Sequence, residues 1–248
     1  MVNLHKDNKA LKPAIILVNP QLGENIGATA RVMANFALSD LRIVNPRDGW
    51  PNEQAISMAK NAKELIHNAK IFNSLSEAIK DINLLFATTT RERQMAKEVL
   101  TAKETIAHIY SKLQLKTAIM FGGERSGLSN EDTGLADFIT TIPVGEDYDS
   151  LNLAQAVCIL CYEYFNYDFK KAPKINFDDN LNTANKDEVL GLFNHLETEL
   201  LKTNFFKLEA KREKMVINLR NSLMRSNLNK QDVRTLRGVI RALVTKEI

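Results

Sequence analysis

Three short segments hold the polar residues best placed to do chemistry. The first, Asn19-Pro-Gln-Leu-Gly-Glu-Asn25-Ile-Gly-Ala-Thr-Ala-Arg31, puts an amide and a guanidinium close together in sequence. Arginine is a fixed cation with a planar fork of donors, suited to a phosphate or a developing oxyanion. The second, Phe121-Gly-Gly-Glu124-Arg-Ser-Gly127-Leu-Ser, has adjacent glycines that let a ligand approach the backbone. The third, Ile142-Pro-Val-Gly-Glu-Asp-Tyr-Asp-Ser150-Leu-Asn152-Leu-Ala-Gln, offers short polar side chains and free backbone N–H groups at a helix start. Each segment also has a plain reading taken alone: Asn25 as a helix cap beside a solvated Arg31, Gly122-Gly123 as a tight turn, Ser150 as an N-cap.

Other chemistries find little support. His5, His67, His108 and His195 are far apart, with no metal-ligand spacing. Cys158 and Cys161 lie inside an apolar helical stripe and read as core packing in a reducing, cytoplasmic setting. No P-loop motif and no Gly-x-Gly-x-x-Gly after the first strand occur. Gly-x-Ser-x-Gly is absent as well. No apolar run is long enough to span a membrane, and the polar N-terminus lacks a signal-peptide core.

The elements that must position these residues follow from periodicity. Short apolar runs at Ala14–Val18, Leu41–Val44, Leu84–Thr88, Thr117–Phe121 and Phe138–Ile142 read as buried strands. Amphipathic segments alternate with them, and Thr101-Ala-Lys-Glu104 and Ser129-Asn-Glu-Asp132 read as helix starts. The alternation predicts an α/β fold with a mostly parallel sheet and helices on both faces. Each glycine segment follows a strand and feeds a helix, the usual place for a ligand site in such folds. Asn25 is expected in the turn, with Arg31 about one turn into the following helix. Leu153, Ala156, Val157, Leu160, Cys161 and Tyr164 form one stripe.

The polar stretch 170–186 reads as a linker between a domain at 1–169 and a helical one at 187–248. Val189, Leu192, Phe193, Leu196 and Leu200 mark one helix of the second part; Val233, Leu236, Ile240 and Leu243 mark another. On the last helix Lys230, Arg234, Arg237 and Arg241 form a basic stripe about 100° from the apolar one. The formal charge of +3 hides an asymmetry: residues 200–248 carry 12 Lys and Arg against 4 Asp and Glu. The rest then hold 21 basic and 26 acidic side chains (33 − 12 and 30 − 4). A module at +8 on a body at −5 points to a polyanionic partner, or to a solvated helical tail.

Taken together and in this order, the three segments resemble the signature motifs of the SPOUT class of RNA methyltransferases, in particular the TrmJ subfamily of tRNA 2′-O-ribose methyltransferases. The likeness runs from about Pro13 to Tyr164, and Leu236-Arg-Gly-Val-Ile240 resembles that subfamily's helical extension. The resemblance implies a C-terminal trefoil knot in the α/β domain and a homodimer with each active site across the interface. It implies S-adenosylmethionine bound by Thr88, Thr89, Thr90, Gly122, Gly123, Glu124, Ile142, Asp149, Ser150 and Leu151. It implies catalysis by Arg31 from the other subunit, with Asn25, Ser150 and Asn152 orienting it and the ribose. No metal is implied. The implied substrate is tRNA, at cytidine or uridine 32 of the anticodon loop, with Lys230, Arg234, Arg237 and Arg241 on its phosphates. A guanidinium essentially never gives up its proton, so stabilising an alkoxide or gripping a phosphate suits Arg31 better than acting as a base.

Two positions depart from the pattern: Gly123 stands where many relatives carry Arg, and Asp149 where a small residue is frequent. Methylation of rRNA by the same chemistry is a rival reading; an RNA-binding protein without catalysis is another. A nucleotide-dependent oxidoreductase is opposed by the missing dinucleotide fingerprint.

Overall fold

The computed structural model describes residues 11–89, 97–145, 150–167, 183–203, 205–206 and 209–244. Seven parallel strands form one sheet: β1 (Ala14–Val18), β2 (Leu41–Val44), β3 (Lys70–Phe72), β4 (Leu84–Thr88), β5 (Val99–Thr101), β6 (Thr117–Gly122) and β7 (Phe138–Thr141). Their order across the sheet is β3-β2-β1-β6-β4-β7-β5. The five runs expected as strands are all strands; β3 and β5 add to them. Both additions are edge strands of three residues, too short and too exposed to give an apolar run.

Alternation along each strand divides the core. Ile15 and Leu17 of β1 face one layer, while Ala14, Ile16 and Val18 face the other. The first layer is covered by α1 (Gly23–Asn35), α2 (Glu53–Ala59), α3 (Lys63–His67), α5 (Ala102–Tyr110) and α7 (Leu153–Asn166). The second is covered more thinly, by α4 (Leu75–Ala78), by Leu128, Leu135 and Ala136 on either side of α6 (Asn130–Gly134), and by the Leu190 side chain. Burial of both faces is why the strands read as unbroken apolar runs.

Local chemistry sets the helix starts. Thr101 with Glu104 and Ser129 with Asp132 form the expected capping boxes of α5 and α6. Asn152 caps α7 in a box with Gln155, so the cap is Asn152 and not Ser150. α1 begins at Gly23, so Asn25 stands in its first turn instead of in the preceding loop, and Arg31 lies two turns further in.

Beyond residue 182 the regular elements are helices: α8 (Lys186–Leu201), α9 (Glu209–Met224) and α10 (Lys230–Val244). Val189, Leu192, Phe193, Met224 and Val233 form a separate small core between them. Leu243, expected on the apolar stripe of α10, is 71% exposed, because packing on that core reaches along the helix only as far as Ile240. The expected linker at 170–186 also differs at its end. Ala184 and Lys186 are buried, and the segment is hydrogen-bonded to both units through Ala184 N–H to Leu228 O and Lys186 N–H to Ile82 O.

Candidate active site

The carboxyl ends of three adjacent strands, β6, β4 and β7, open on a cavity of about 520 Å³. Its walls include Thr88 and Thr89 at the end of β4, Gly122, Gly123 and Glu124 after β6, Ile142 after β7, and Ser150 and Leu151 ahead of α7. These are eight of the ten residues that sequence assigns to a cofactor. Thr90 and Asp149 lie outside the described residues. Volume and lining suit a nucleoside-sized ligand: polar residues such as Thr88, Thr89, Glu124 and Ser150 line it together with apolar Ile142, Leu151, Leu153 and Ala156.

A chain of hydrogen bonds ties the three segments together. The Asn25 Nδ2 group donates to Glu124 Oε1 at 2.6 Å, and Asn152 Nδ2 donates to Asn25 Oδ1 at 3.0 Å. Glu124 also accepts from the backbone N–H groups of Gln21 (2.8 Å) and Leu22 (3.2 Å). This last pair explains how α1 starts. Its N-cap residue is Leu22, which has no capping side chain, so a carboxylate from a distant loop serves the orphan donors and meets the positive end of the helix. Burial raises the Glu124 pKa; the bonds from Asn25, Gln21 and Leu22 outweigh it and hold the carboxyl below its ordinary value. The Asn152 Oδ1 atom accepts from Ala154 N–H at 2.9 Å, so one side chain caps α7 and braces Asn25.

The glycines have a structural reason beyond ligand approach. A Cβ on Gly122 would overlap the backbone of Gly127 and Leu128, and one on Gly123 would overlap the carbonyl oxygen of Asn19. The loop folds back on itself, with Gly127 N–H donating to Gly123 O at 2.9 Å and Gly127 at φ 65°. A residue with a side chain at 123 would have to displace the end of β1.

Arg31 stands apart. It is exposed, it is not among the walls of this cavity, and among the described residues no hydrogen bond or ion pair is made to it. Six positions after buried Asn25, it faces about 120° away around α1. Thus the fold joins Asn25, Glu124 and Asn152, sets Ser150 on the cavity wall, and leaves Arg31 on an outer face.

Several wall residues were not singled out in the sequence. Leu153 and Ala156 could have been, since the α7 stripe turns them toward the sheet right after Asn152. Thr140 gives no such signal: it is a buried strand residue whose hydroxyl hydrogen-bonds that of Thr105 at 2.9 Å. Cys161 is buried, its thiol pushed up to about 12 by burial and Cys158, which fits a packing role for this free cysteine. Among the described residues no cluster of His, Cys, Asp or Glu converges as a metal site, and no helix is long and apolar enough to cross a membrane.

The basic stripe of α10 is uneven. Arg234 and Arg241 are exposed. Lys230 lies 3.7 Å from Glu188, and the Arg237 guanidinium lies against Gly191 of α8 with its Nε buried.

Comparison with known proteins agrees with this geometry. Residues 12–162 match the SpoU rRNA Methylase family, and residues 187–247 match the tRNA methyltransferase TrmJ, C-terminal domain. The tRNA (cytidine-2′-O-)-methyltransferase TrmJ of Methanocaldococcus jannaschii is 36% identical over 178 residues, 71% of this chain and 75% of the relative. The tRNA (cytidine/uridine/adenosine-2′-O-)-methyltransferase TrmJ of Pseudomonas aeruginosa is 31% identical over 236 residues, 91% of each chain. The crystal structure of TrmJ from Z. mobilis ZM4 superposes with a TM-score of 0.87 at 39% identity, covering 94% of this chain and all of that one. Motif order, cavity and both matched regions agree: the chain belongs to the SpoU rRNA methylase family, within its TrmJ-like tRNA methyltransferases of the SPOUT class.

Proposed function

We propose that the protein transfers a methyl group from S-adenosylmethionine to a ribose 2′-hydroxyl of tRNA. The observation that carries this reading is the Asn25–Glu124–Asn152 chain at the rim of a nucleoside-sized cavity, in a chain similar along most of its length to tRNA 2′-O-methyltransferases. Its relatives are named for cytidine alone, cytidine with uridine, or both with adenosine. Cytidine or uridine 32 of the anticodon loop is the target implied by the resemblance. A cytoplasmic location goes with that substrate.

S-adenosylmethionine, when bound, supplies an activated methyl on a sulfonium. The loops after β4, β6 and β7 would hold it: Thr88, Thr89, Gly122, Gly123, Glu124, Ile142, Ser150 and Leu151 line the space, with Thr90 and Asp149 in adjoining segments. The Glu124 carboxylate is committed to α1, so its part is to hold the cavity wall in shape. Asn25, fixed between Glu124 and Asn152, is held in one orientation before any ligand arrives. Ser150 stands on the wall to bind the ribose edge.

Arg31 would act in the partner's site. It is exposed and absent from its own cavity, and α7, which packs against α1, leaves apolar rings exposed: Tyr162 and Phe165 are 53% and 58% exposed. Phe36 packs its ring against both Tyr162 and Phe165. A homodimer joined through α1 and α7 would cover this patch and bring Arg31 to the second cavity. There its donor fork would stabilise the alkoxide formed as the hydroxyl loses its proton.

The trefoil knot belongs to the same reading. β4 and β5 are consecutive in sequence, yet β7 lies between them in the sheet. In the domain plan we favour, 1–169 carries the reaction, 170–186 connects, and 187–248 holds the tRNA body by phosphate contacts.

The test is transfer of labelled methyl from S-adenosylmethionine to unmodified tRNAs and rRNA fragments, with the product nucleotide mapped by mass spectrometry. A 2′-O-methyl nucleotide in tRNA is the expected product. Transfer to rRNA alone would replace the substrate, and cofactor binding without transfer to any RNA would overturn the enzymatic reading.

A further inference from the structure

We propose that Lys186 is a positioning residue: its buried ion pair with Asp137 fixes the helical module at one register against the catalytic sheet, and thereby sets where tRNA meets the cavity. The inference rests on the reading of the module as the tRNA holder. Lys186 opens α8, and its Nζ lies 2.6 Å from Asp137 Oδ1, with only 4% and 10% of the two side chains exposed. Asp137 immediately precedes β7, and its other oxygen accepts Leu85 N–H at 2.7 Å. The ammonium therefore joins the first turn of the module to the entry of two core strands, β4 and β7.

The neighbouring backbone makes this a clasp. Lys186 N–H donates to Ile82 O at 2.8 Å and Asp187 N–H to Lys80 O at 3.3 Å. Asn83 Nδ2 donates to Thr183 O at 3.2 Å. Asn185 caps α8 in a box with Glu188, so the helix starts rigidly at the point of attachment. From there Leu190 packs on the sheet core while Val189, Leu192 and Phe193 enter the module core. A second tie lies on α9, where Arg220 pairs with Glu197 at 2.6 Å and reaches Glu131 of α6 at 3.8 Å.

The functional weight comes from geometry. β7 leads from Asp137, just before it, to Thr140 and then Ile142, just after it, on the cavity wall, so clasp and cavity lie at the two ends of one short strand. An RNA held by the module has its reactive hydroxyl placed by this attachment, and an error of about 1 Å in such placement costs on the order of 100-fold in rate. An apolar contact would also join the units, but a buried pair left without one partner is costly, which disfavours other registers.

The test uses the full-length protein. Lys186→Met with Asp137→Asn removes the charges together and keeps an acceptor for Leu85 N–H. The expected result is a kcat for tRNA methylation lowered on the order of 100-fold, with S-adenosylmethionine affinity within about twofold, and recovery in Lys186→Arg. Asn83→Ala, a milder loosening of the same attachment, should move kcat in the same direction by less. Unchanged kcat in both would overturn the proposal, as would equal losses of cofactor affinity and turnover, which would mean that the pair merely supports the sheet. Failure of the underlying reading looks different: Arg234→Ala with Arg241→Ala would then leave tRNA affinity unchanged.

Discussion

The amide of Asn25 donates to the carboxylate of Glu124 at 2.6 Å across 99 residues of chain, and through this bond the first motif is held by the second. Glu124 serves that amide and two backbone N–H groups of the α1 start at once. Glu124→Gln keeps the size but brings an NH₂ where only acceptors are wanted. A hydrogen bond to a charged group contributes about 1.5–3 kcal/mol, so turnover is expected to fall roughly 10- to 100-fold. Kinetics alongside thermal unfolding check this. A lowered melting temperature together with a large loss in kcat is the expected pattern, and wild-type kcat would remove Glu124 from the site.

Arg31 and the Asn25–Glu124–Asn152 group lie on different faces, so their functions should complement in trans. Arg31→Ala is expected to abolish turnover while leaving cofactor affinity nearly intact. Asn152→Ala, which unbraces Asn25, should impair the cavity of its own subunit. Random mixing of two inactive variants makes half the dimers mixed, each with one intact site, so about a quarter of wild-type activity should return. No recovery after subunit exchange would place Arg31 in its own subunit's reaction.

How far the sequence carries the structure depends on what each feature is made of. Five strands, the capping boxes at Thr101 and Ser129, and the α7 stripe were legible because each is written in neighbouring residues. β3 and β5 were not, since a three-residue edge strand leaves no period. The start of α1 was misplaced because its capping group, Glu124, comes from another part of the chain. The eight cavity residues came from the resemblance, not from periodicity, and Thr140 shows why: nothing local separates a strand threonine on a cavity wall from one in the core. The packed end of the linker was hidden for a related reason, as Lys186 reads as solvated until Asp137 is placed beside it.

Acid stability should report on the far edge of the sheet. Arg42, 4% exposed, pairs with Asp40 at 2.8 Å and Asp81 at 2.5 Å and donates to Ala78 O. Burial raises the Asp81 pKa, but Arg42 and Lys116 outweigh it and hold it at about 2; Asp40 is lowered in the same way by Arg42 and Lys70. The folded pKa values lie below the unfolded ones, so this stabilisation is complete above an ordinary Asp pKa of about 3.9 and is lost as pH falls through the folded values. Arg42→Met should therefore flatten the dependence of melting temperature on pH between about 4 and 2. It should also lower stability at neutral pH by about 1–2 kcal/mol, because Asp40 and Asp81 lose a cation but, at 30% and 43% exposed, keep solvent and their lysine partners. An unaltered acid slope would show that other groups set it.

The four cations of α10 should separate into two classes. Arg234 and Arg241 are exposed, whereas Arg237 lies along α8 at Gly191. Loss of a phosphate contact reduces the slope of log affinity against log salt by about 0.9. Arg234→Ala and Arg241→Ala should each weaken tRNA binding and flatten that slope. Arg237→Ala should instead lower the melting temperature of the module, since its guanidinium and stem cover the α8 surface. Lys230→Ala should fall between the two, because Glu188 at 3.7 Å already neutralises part of its charge. Filter binding over a salt series separates these outcomes. Equal salt slopes for all four variants would mean that the stripe is a solvated face, and that the tRNA body is held elsewhere on the molecule.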